Sequence, residues 1–132
     1  MLSLFNDSIS EEIINKYGIT LLIVFGSFAE GTTHKDSDLD LGYMSRDLLT
    51  KETELTLLED LIKHYKNGDI DLVNLKKAVP PLKLEIASKG KLIYGTEEDF
   101  LKFQLYAAAR YADTKFLRQK REGYLRERMK KI

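Results

Sequence analysis

Apolar residues in this chain change their spacing several times, and each change marks an element. Ser8 or Ser10 can cap a short helix that carries Ile13, Ile14 and Tyr17 and is stopped by Gly18. Thr20 to Phe25 is a continuous β-branched and aliphatic run ending at Gly26-Ser27, which predicts a buried strand. After a polar loop, Asp38-Leu-Asp-Leu41 alternates with period two, as a second strand does. Thr50 opens a helix in which Leu55, Leu58, Ile62 and Tyr65 recur at spacings of three and four, and Asn67-Gly68 closes it. Asp69 to Leu75 predicts a third strand with Ile70 and Leu72 on one face.

Pro80-Pro81 breaks the chain, and Pro81 suits the first turn of a helix running toward Gly90. Lys91 to Tyr94 predicts a short fourth strand. Thr96, followed by Glu97, Glu98 and Asp99, starts a helix whose positive end favours those carboxylates. That helix continues without proline to about Met129. Phe100, Phe103, Ala107, Arg110, Tyr111 and Thr114 form one stripe, Leu117 lies near its continuation, and Gly123 is where a bend or break is expected. The order predicts an α/β (α+β) fold, a small mixed β-sheet flanked by helices with a long C-terminal helix. No repeat, low-complexity tract or linker divides it. Residues 1–132 read as one domain, with 1–95 as its core and 96–132 as the C-terminal helix.

Composition narrows the setting. With 43% hydrophobic residues, 132 residues can bury a real core, so stability alone does not call for an oligomer. There are no cysteines, which excludes disulfides and thiolate metal sites and makes a reducing cytoplasm the simplest address. The longest apolar run, Ile19 to Phe25, is too short to span a bilayer, so no membrane partner is expected. Net charge is zero, yet Thr114 to Ile132 holds eight basic residues (Lys115, Arg118, Lys120, Arg121, Arg126, Arg128, Lys130, Lys131) against Glu122 and Glu127. A solvated helix face and a docking surface for protein or nucleic acid both fit such a tail.

The segment from Gly26 to Leu41 carries the candidate chemistry. Side chains two apart on a strand point the same way, so Asp38 and Asp40 would stand side by side. Two like charges about 5 Å apart repel by roughly 3 kcal/mol at an effective dielectric near 20. A divalent cation turns that repulsion into attraction, and hard Mg²⁺ prefers carboxylate oxygens together with substrate phosphates. A glycine directly after a buried strand lets the backbone turn tightly beside a ligand, and Ser27 adds a hydroxyl for phosphate oxygens. Gly31 ends the turn. A third acidic alternation, Asp69-Ile-Asp71-Leu-Val-Asn-Leu, could bring one more carboxylate to the same place were its strand adjacent to the second. Three acids around two cations suit phosphoryl or nucleotidyl transfer.

Gly-Ser, ten residues, then Asp-x-Asp resembles the signature of the polymerase-β-like nucleotidyltransferase superfamily, whose minimal members are the MNT proteins. The hydrophobic-Asp-hydrophobic unit Ile70-Asp71-Leu72 matches the family's third acid, leaving Asp69 as a strand-start residue facing water. The stretch from Leu72 to Gly95 looks like the MntA-type antitoxins that accompany HEPN proteins in type VII toxin–antitoxin systems. The resemblance covers roughly residues 10 to 125, and its specific parts are the Gly-Ser and acidic elements. It implies transfer of AMP from ATP to a tyrosine hydroxyl of a cognate HEPN ribonuclease toxin within a heteromeric complex. It also implies two Mg²⁺ ions on Asp38, Asp40 and Asp71, Asp71 as general base, and Gly26 and Ser27 on the terminal phosphates.

The chain departs from the family in carrying Phe28 and Glu30 where many relatives have a basic residue after Gly-Ser; Lys35 could serve if the loop folds back. It has no room for the large second domain that binds acceptors in aminoglycoside or tRNA nucleotidyltransferases, so the partner itself would supply that surface, with the C-terminal helix as the docking face. Two other functions fit the same residues: an antitoxin that blocks its partner by binding alone, and a nucleotidyltransferase acting on a small molecule or an RNA end. His34 and His64 are expected to be solvated or helix-end residues. Phe100, Phe103, Tyr106 and Tyr111 are expected to pack, and Tyr43 and Tyr124 stay open as self-modification acceptors.

Overall fold

The strand that runs into Gly26 is buried on both faces, and the other elements are arranged around it. The computed structural model describes residues 9–30 and 38–130. In chain order these form α1 (Glu11–Tyr17), β1 (Ile19–Phe25), α2 (Ser27–Glu30), β2 (Leu39–Ser45), α3 (Lys51–Tyr65), β3 (Ile70–Asn74), α4 (Pro80–Lys89), β4 (Lys91–Tyr94) and α5 (Glu97–Lys130). The sheet order is β3-β2-β1-β4. β1 pairs antiparallel with β2 and β4, whereas β2 and β3 are parallel. A parallel pair needs a crossover, and α3 supplies it. The expected mixed sheet flanked by helices is thus present.

Two apolar layers sandwich the sheet. On one face Leu22 and Val24 of β1 meet Leu39, Leu41 and Tyr43 of β2, covered by Ile13, Ile14 and Tyr17 of α1 and Leu57, Leu61 and Tyr65 of α3. On the other, Leu21 and Ile23 pack with Leu75, with Ile86 and Ala87 of α4, and with Phe103 and Ala107 of α5. Burial at this density removes apolar area from water at about 25 cal/mol per Å², which is what holds so small a sheet together.

Helix ends follow the sequence closely. The Ser10 hydroxyl accepts from the Glu12 and Ile13 amides, and Gly18 closes α1 in the left-handed conformation at φ 63°. Ser8, the other cap candidate, lies outside the described residues. Thr50 caps α3 through the Thr53 amide, and the Thr96 hydroxyl accepts from the Asp99 amide. Lys66, not Gly68, takes the left-handed position after α3, at φ 53°.

α3 turns a different face inward than its apolar spacing suggests. Leu57, Leu61 and Tyr65 are buried, Leu58 and Ile62 are only partly covered, and Leu55 is 60% exposed. The reason is polar. Glu54 accepts a hydrogen bond from the hydroxyl of Tyr43, a residue with no exposed surface. Asp60 accepts from Tyr17 at 2.5 Å and from Lys16 at 3.0 Å. Positions 54, 57, 61 and 65 share one side of a helix, so anchoring Glu54 against the sheet carries the other three inward. Burial and the Glu54 partner hold the Tyr43 hydroxyl above its ordinary pKa. Its seclusion removes Tyr43 as a self-modification acceptor; the side chain of Tyr124 is not among those described.

α5 spans 34 residues, about 51 Å at 1.5 Å per residue, and runs through Gly123 without a break. Phe103 and Ala107 are buried, while Arg110, expected on the same stripe, is exposed. Gln104 donates to the Ala87 carbonyl at 3.0 Å, and the buried Lys83 ammonium donates to the Tyr106 hydroxyl at 3.2 Å, so α4 and α5 are tied by polar as well as apolar contacts. In the basic tail Lys120, Arg121 and Arg126 are exposed; the side chains of Lys115, Arg118, Arg128 and Lys130, and Lys131 altogether, lie outside the description. Among the described residues no helix is long and apolar enough to cross a membrane.

Replacing Tyr43 with Phe keeps the packed ring but strips Glu54 of its buried donor. Urea unfolding should show a loss of about 1–2 kcal/mol with an unchanged m-value.

Candidate functional site

β1 delivers the chain to a bend at its C-terminal end. Gly26 sits there at φ +72°, a left-handed conformation that costs any other L-residue energy. Space is the second constraint. A Cβ on Gly26 would collide with Oδ2 of Asp40. Ser27 is the first residue of α2, whose Ala29 is buried and whose Phe28 packs on the first core. Phe28 is thus committed to the core. Gly31, His34 and Lys35 lie outside the described residues.

Strand pairing brings the acids together. Phe25 is the antiparallel partner of Asp40, and Asp40 is the parallel partner of Asp71. Leu39 and Leu41 enter the first core, as do Ile70 and Leu72, so Asp40 and Asp71 face the opposite side of the sheet, toward α4 and α5. Asp38, exposed, stands just before β2 on the same alternation. Asp69 is exposed, and its carbonyl accepts from the Leu39 amide at 2.8 Å, fixing the start of the parallel pair. The expected constellation of Gly26, Ser27, Asp38, Asp40 and Asp71 therefore gathers at one end of the sheet.

Asp40 is its electrostatic centre. Partial burial pushes its carboxyl pKa above the ordinary value, and the charges of Asp71 and then Asp38 push it further in the same direction. All three causes penalise the ionised form, so the cluster is a repulsive arrangement awaiting positive charge. Among the described residues no three acidic or histidine side chains form a self-sufficient metal cage. Oxygen-only donors under mutual repulsion nevertheless suit Mg²⁺, which keeps waters and takes its remaining oxygens from substrate phosphates.

Two residues the sequence did not single out share the site. A cavity of about 230 Å³ is lined by Phe25, Gly26 and Asp40 together with Glu85 and Lys89 from the last turns of α4. Their i, i+4 spacing on one helix face was the available signal, but only the fold shows which way that face points. His64 lies far along α3 with its ring edge-on to Tyr65, centroids 4.7 Å apart. Phe100 and Phe103 pack in the second core, while Tyr106 is 42% exposed.

Gly26→Ala should lower stability by about 1–3 kcal/mol in urea unfolding, from left-handed strain together with displacement of Asp40. Gly68→Ala, where an added Cβ meets nothing within 4 Å, should stay within about 0.5 kcal/mol of the parent. The raised Asp40 pKa makes a signed prediction for the metal-free protein. The folded state holds this proton more tightly than the unfolded state, so the penalty is absent in acid and grows as pH rises through the raised value. Asp40→Asn should therefore melt higher than the parent at pH 7, and the difference should vanish below about pH 4.

The chain matches the family model described as polymerase beta, nucleotidyltransferase, over residues 8–99. It is 30% identical over 101 residues to the protein adenylyltransferase MntA of Shewanella oneidensis, an alignment spanning 76% of this chain and 72% of that protein. A chain of a toxin–antitoxin crystal structure with AMP-PNP superimposes with TM-score 0.73 at 26% identity, covering 90% of this chain and 94% of that one. A chain from the complex of tri-AMPylated Shewanella oneidensis HEPN toxin with MNT antitoxin shares the fold at TM-score 0.66 and 22% identity, covering 90% and 92%. Gly26-Ser27, Asp38, Asp40 and Asp71 thus lie on a scaffold with known relatives, and the chain belongs to the polymerase beta nucleotidyltransferase family, as a homologue of the protein adenylyltransferase MntA.

Proposed function

We propose that this protein is an antitoxin of the adenylyltransferase kind, moving AMP from ATP onto a tyrosine hydroxyl of a cognate HEPN toxin in the cytoplasm. The observation that carries this reading is Asp40, seated against the Gly26 backbone and raised in pKa by burial and by Asp71 and Asp38. Such a group favours cations bound to an incoming polyphosphate. The partner assignment is supported by the MntA homologue and by the toxin–antitoxin complexes that share the fold.

In this reading Asp38, Asp40 and Asp71 would hold two Mg²⁺ ions, which would supply positive charge to offset the phosphates in an acidic site. Gly26 and Ser27 hold the terminal phosphates, while the missing Cβ leaves the space that Asp40 fills. The acceptor oxygen forms a bond to the α-phosphorus as the bond to the bridging oxygen breaks and pyrophosphate leaves. Asp71, exposed on β3, takes the hydroxyl proton as general base. This arrangement needs no acceptor-binding domain of its own, because the tyrosine arrives on the partner.

Changing Asp38 and Asp40 together to Asn should abolish transfer while circular dichroism and the unfolding midpoint show an intact fold. The assay is incubation of the chain with α-labelled ATP, Mg²⁺ and the HEPN protein encoded beside it. Label on the partner's tyrosine supports the proposal. A tight complex without label would replace it with inhibition by contact, and label confined to RNA or a small molecule would replace the acceptor. Unchanged turnover in the double variant would end the metal assignment.

A further inference from the structure

Asp40 and Glu85 line the cavity beside Gly26, and the charges of Asp71 and Asp38 bear on Asp40, so nucleotide phosphates brought here would meet negative charge. The Gly-Ser bend offers no compensating cation among its described side chains, because Phe28 is packed into the core. Lys89 is the one cation among the described residues that line the cavity, alongside Gly26 and Asp40. We propose that Lys89 is the phosphate-binding cation of the site, contacting the β- and γ-phosphates of the nucleotide, in place of the basic residue missing from the bend.

The fold fixes where Lys89 can be. It is the last residue of α4, and Gly90 follows with its amide donating to the Ile86 carbonyl at 2.8 Å. A Cβ on Gly90 would run into that carbonyl and would lie 2.5 Å from Cγ2 of Ile23 and 3.3 Å from the Val24 carbonyl. The end of α4 is therefore pressed onto β1 at Ile23 and Val24. Lys91, two residues on, pairs with Val24 in the sheet. Lys89 is thus clamped beside the last residues of β1, just before the chain reaches Gly26. Its side chain is exposed, so the ammonium keeps the reach and freedom to meet phosphate oxygens. Glu85, one turn earlier on the same face, adds a carboxylate that makes a cation at this point more necessary.

A lysine in the last turn of a helix also offsets the negative end of the dipole. That role predicts a small stability change and no effect on nucleotide, and the experiment separates the two. The inference rests on the nucleotidyltransferase reading, so binding and transfer are measured separately. The full chain and its Lys89→Gln and Lys89→Arg variants are titrated calorimetrically, with Mg²⁺, against AMP and against an ATP analogue that resists cleavage next to the α-phosphate. KM for ATP and kcat are then measured with the HEPN acceptor.

Lys89→Gln should weaken the triphosphate analogue by about tenfold or more, the usual scale of a charge-assisted contact, and raise KM for ATP, while AMP binding changes little. Lys89→Arg should recover most of the loss. Equal loss for AMP and the analogue, or parental affinity for the analogue in Lys89→Gln, would overturn the inference. Should the parent chain bind the analogue through Lys89 yet transfer no label, the inference stands and the transferase reading fails.

Discussion

The contact between the Gly26 backbone and the Asp40 carboxylate sets the terms for the rest of the molecule. Asp40 can sit where it does only because position 26 lacks a Cβ and adopts a positive φ. Being there, it is partly removed from water and placed in register with Asp71 across a parallel strand pair. Both effects work against the folded protein when Asp40 is charged. The sheet must therefore be held by forces elsewhere, and it is, by apolar layers on both faces with β1 at their centre. Stability resides in the middle of the sheet; the strain is confined to its end.

Four segments distant in sequence meet at that end: the exit of β1, the entries of β2 and β3, and the last turn of α4. Each is positioned by a different device. The bend depends on Gly26. The start of β2 is pinned by the hydrogen bond from the Leu39 amide to the Asp69 carbonyl, which also sets the register that opposes Asp40 to Asp71. α4 is fixed by Gly90 against Ile23 and Val24 and by its contacts with α5. A shift of one residue in the β2–β3 pairing would turn the alternate side chains inward and place leucine where the carboxylates stand. The same register that buries Leu39, Leu41, Ile70 and Leu72 thus gathers the acids.

Much of this was legible because period-two patterns leave little choice. Asp38-Leu-Asp-Leu and Ile-Asp-Leu state which face is wet, and glycine after a β-branched run states where the chain turns. The adjacency of β2 and β3 was not legible, since nothing in either strand names its neighbour. The inward face of α3 was misjudged because apolar residues at 55, 57, 58, 61, 62 and 65 permit more than one stripe. The choice among them is made by Glu54, a charged residue turned toward the sheet by the hydroxyl of Tyr43. Lys66 in the left-handed position went unanticipated with two better-suited residues, Asn67 and Gly68, directly behind it. Glu85 and Lys89 escaped notice because an ordinary helix-surface pair looks the same whether it faces solvent or a cavity.

Charge is balanced over the chain as a whole but not within it. Asp38, Asp40 and Asp71 stand at one end of the sheet, and the basic surplus of the sequence falls between Thr114 and Ile132. An acidic cavity repels the polyanion that nucleotidyl transfer requires, so long-range attraction from the site itself cannot bring the substrate in. In the proposed reading, entry depends on short-range compensation by cations bound with the phosphates and by Lys89 at the rim of the cavity. A site of that kind favours a metal-laden triphosphate over a bare anion, and the preference traces back to carboxylates gathered beside a residue that has no side chain.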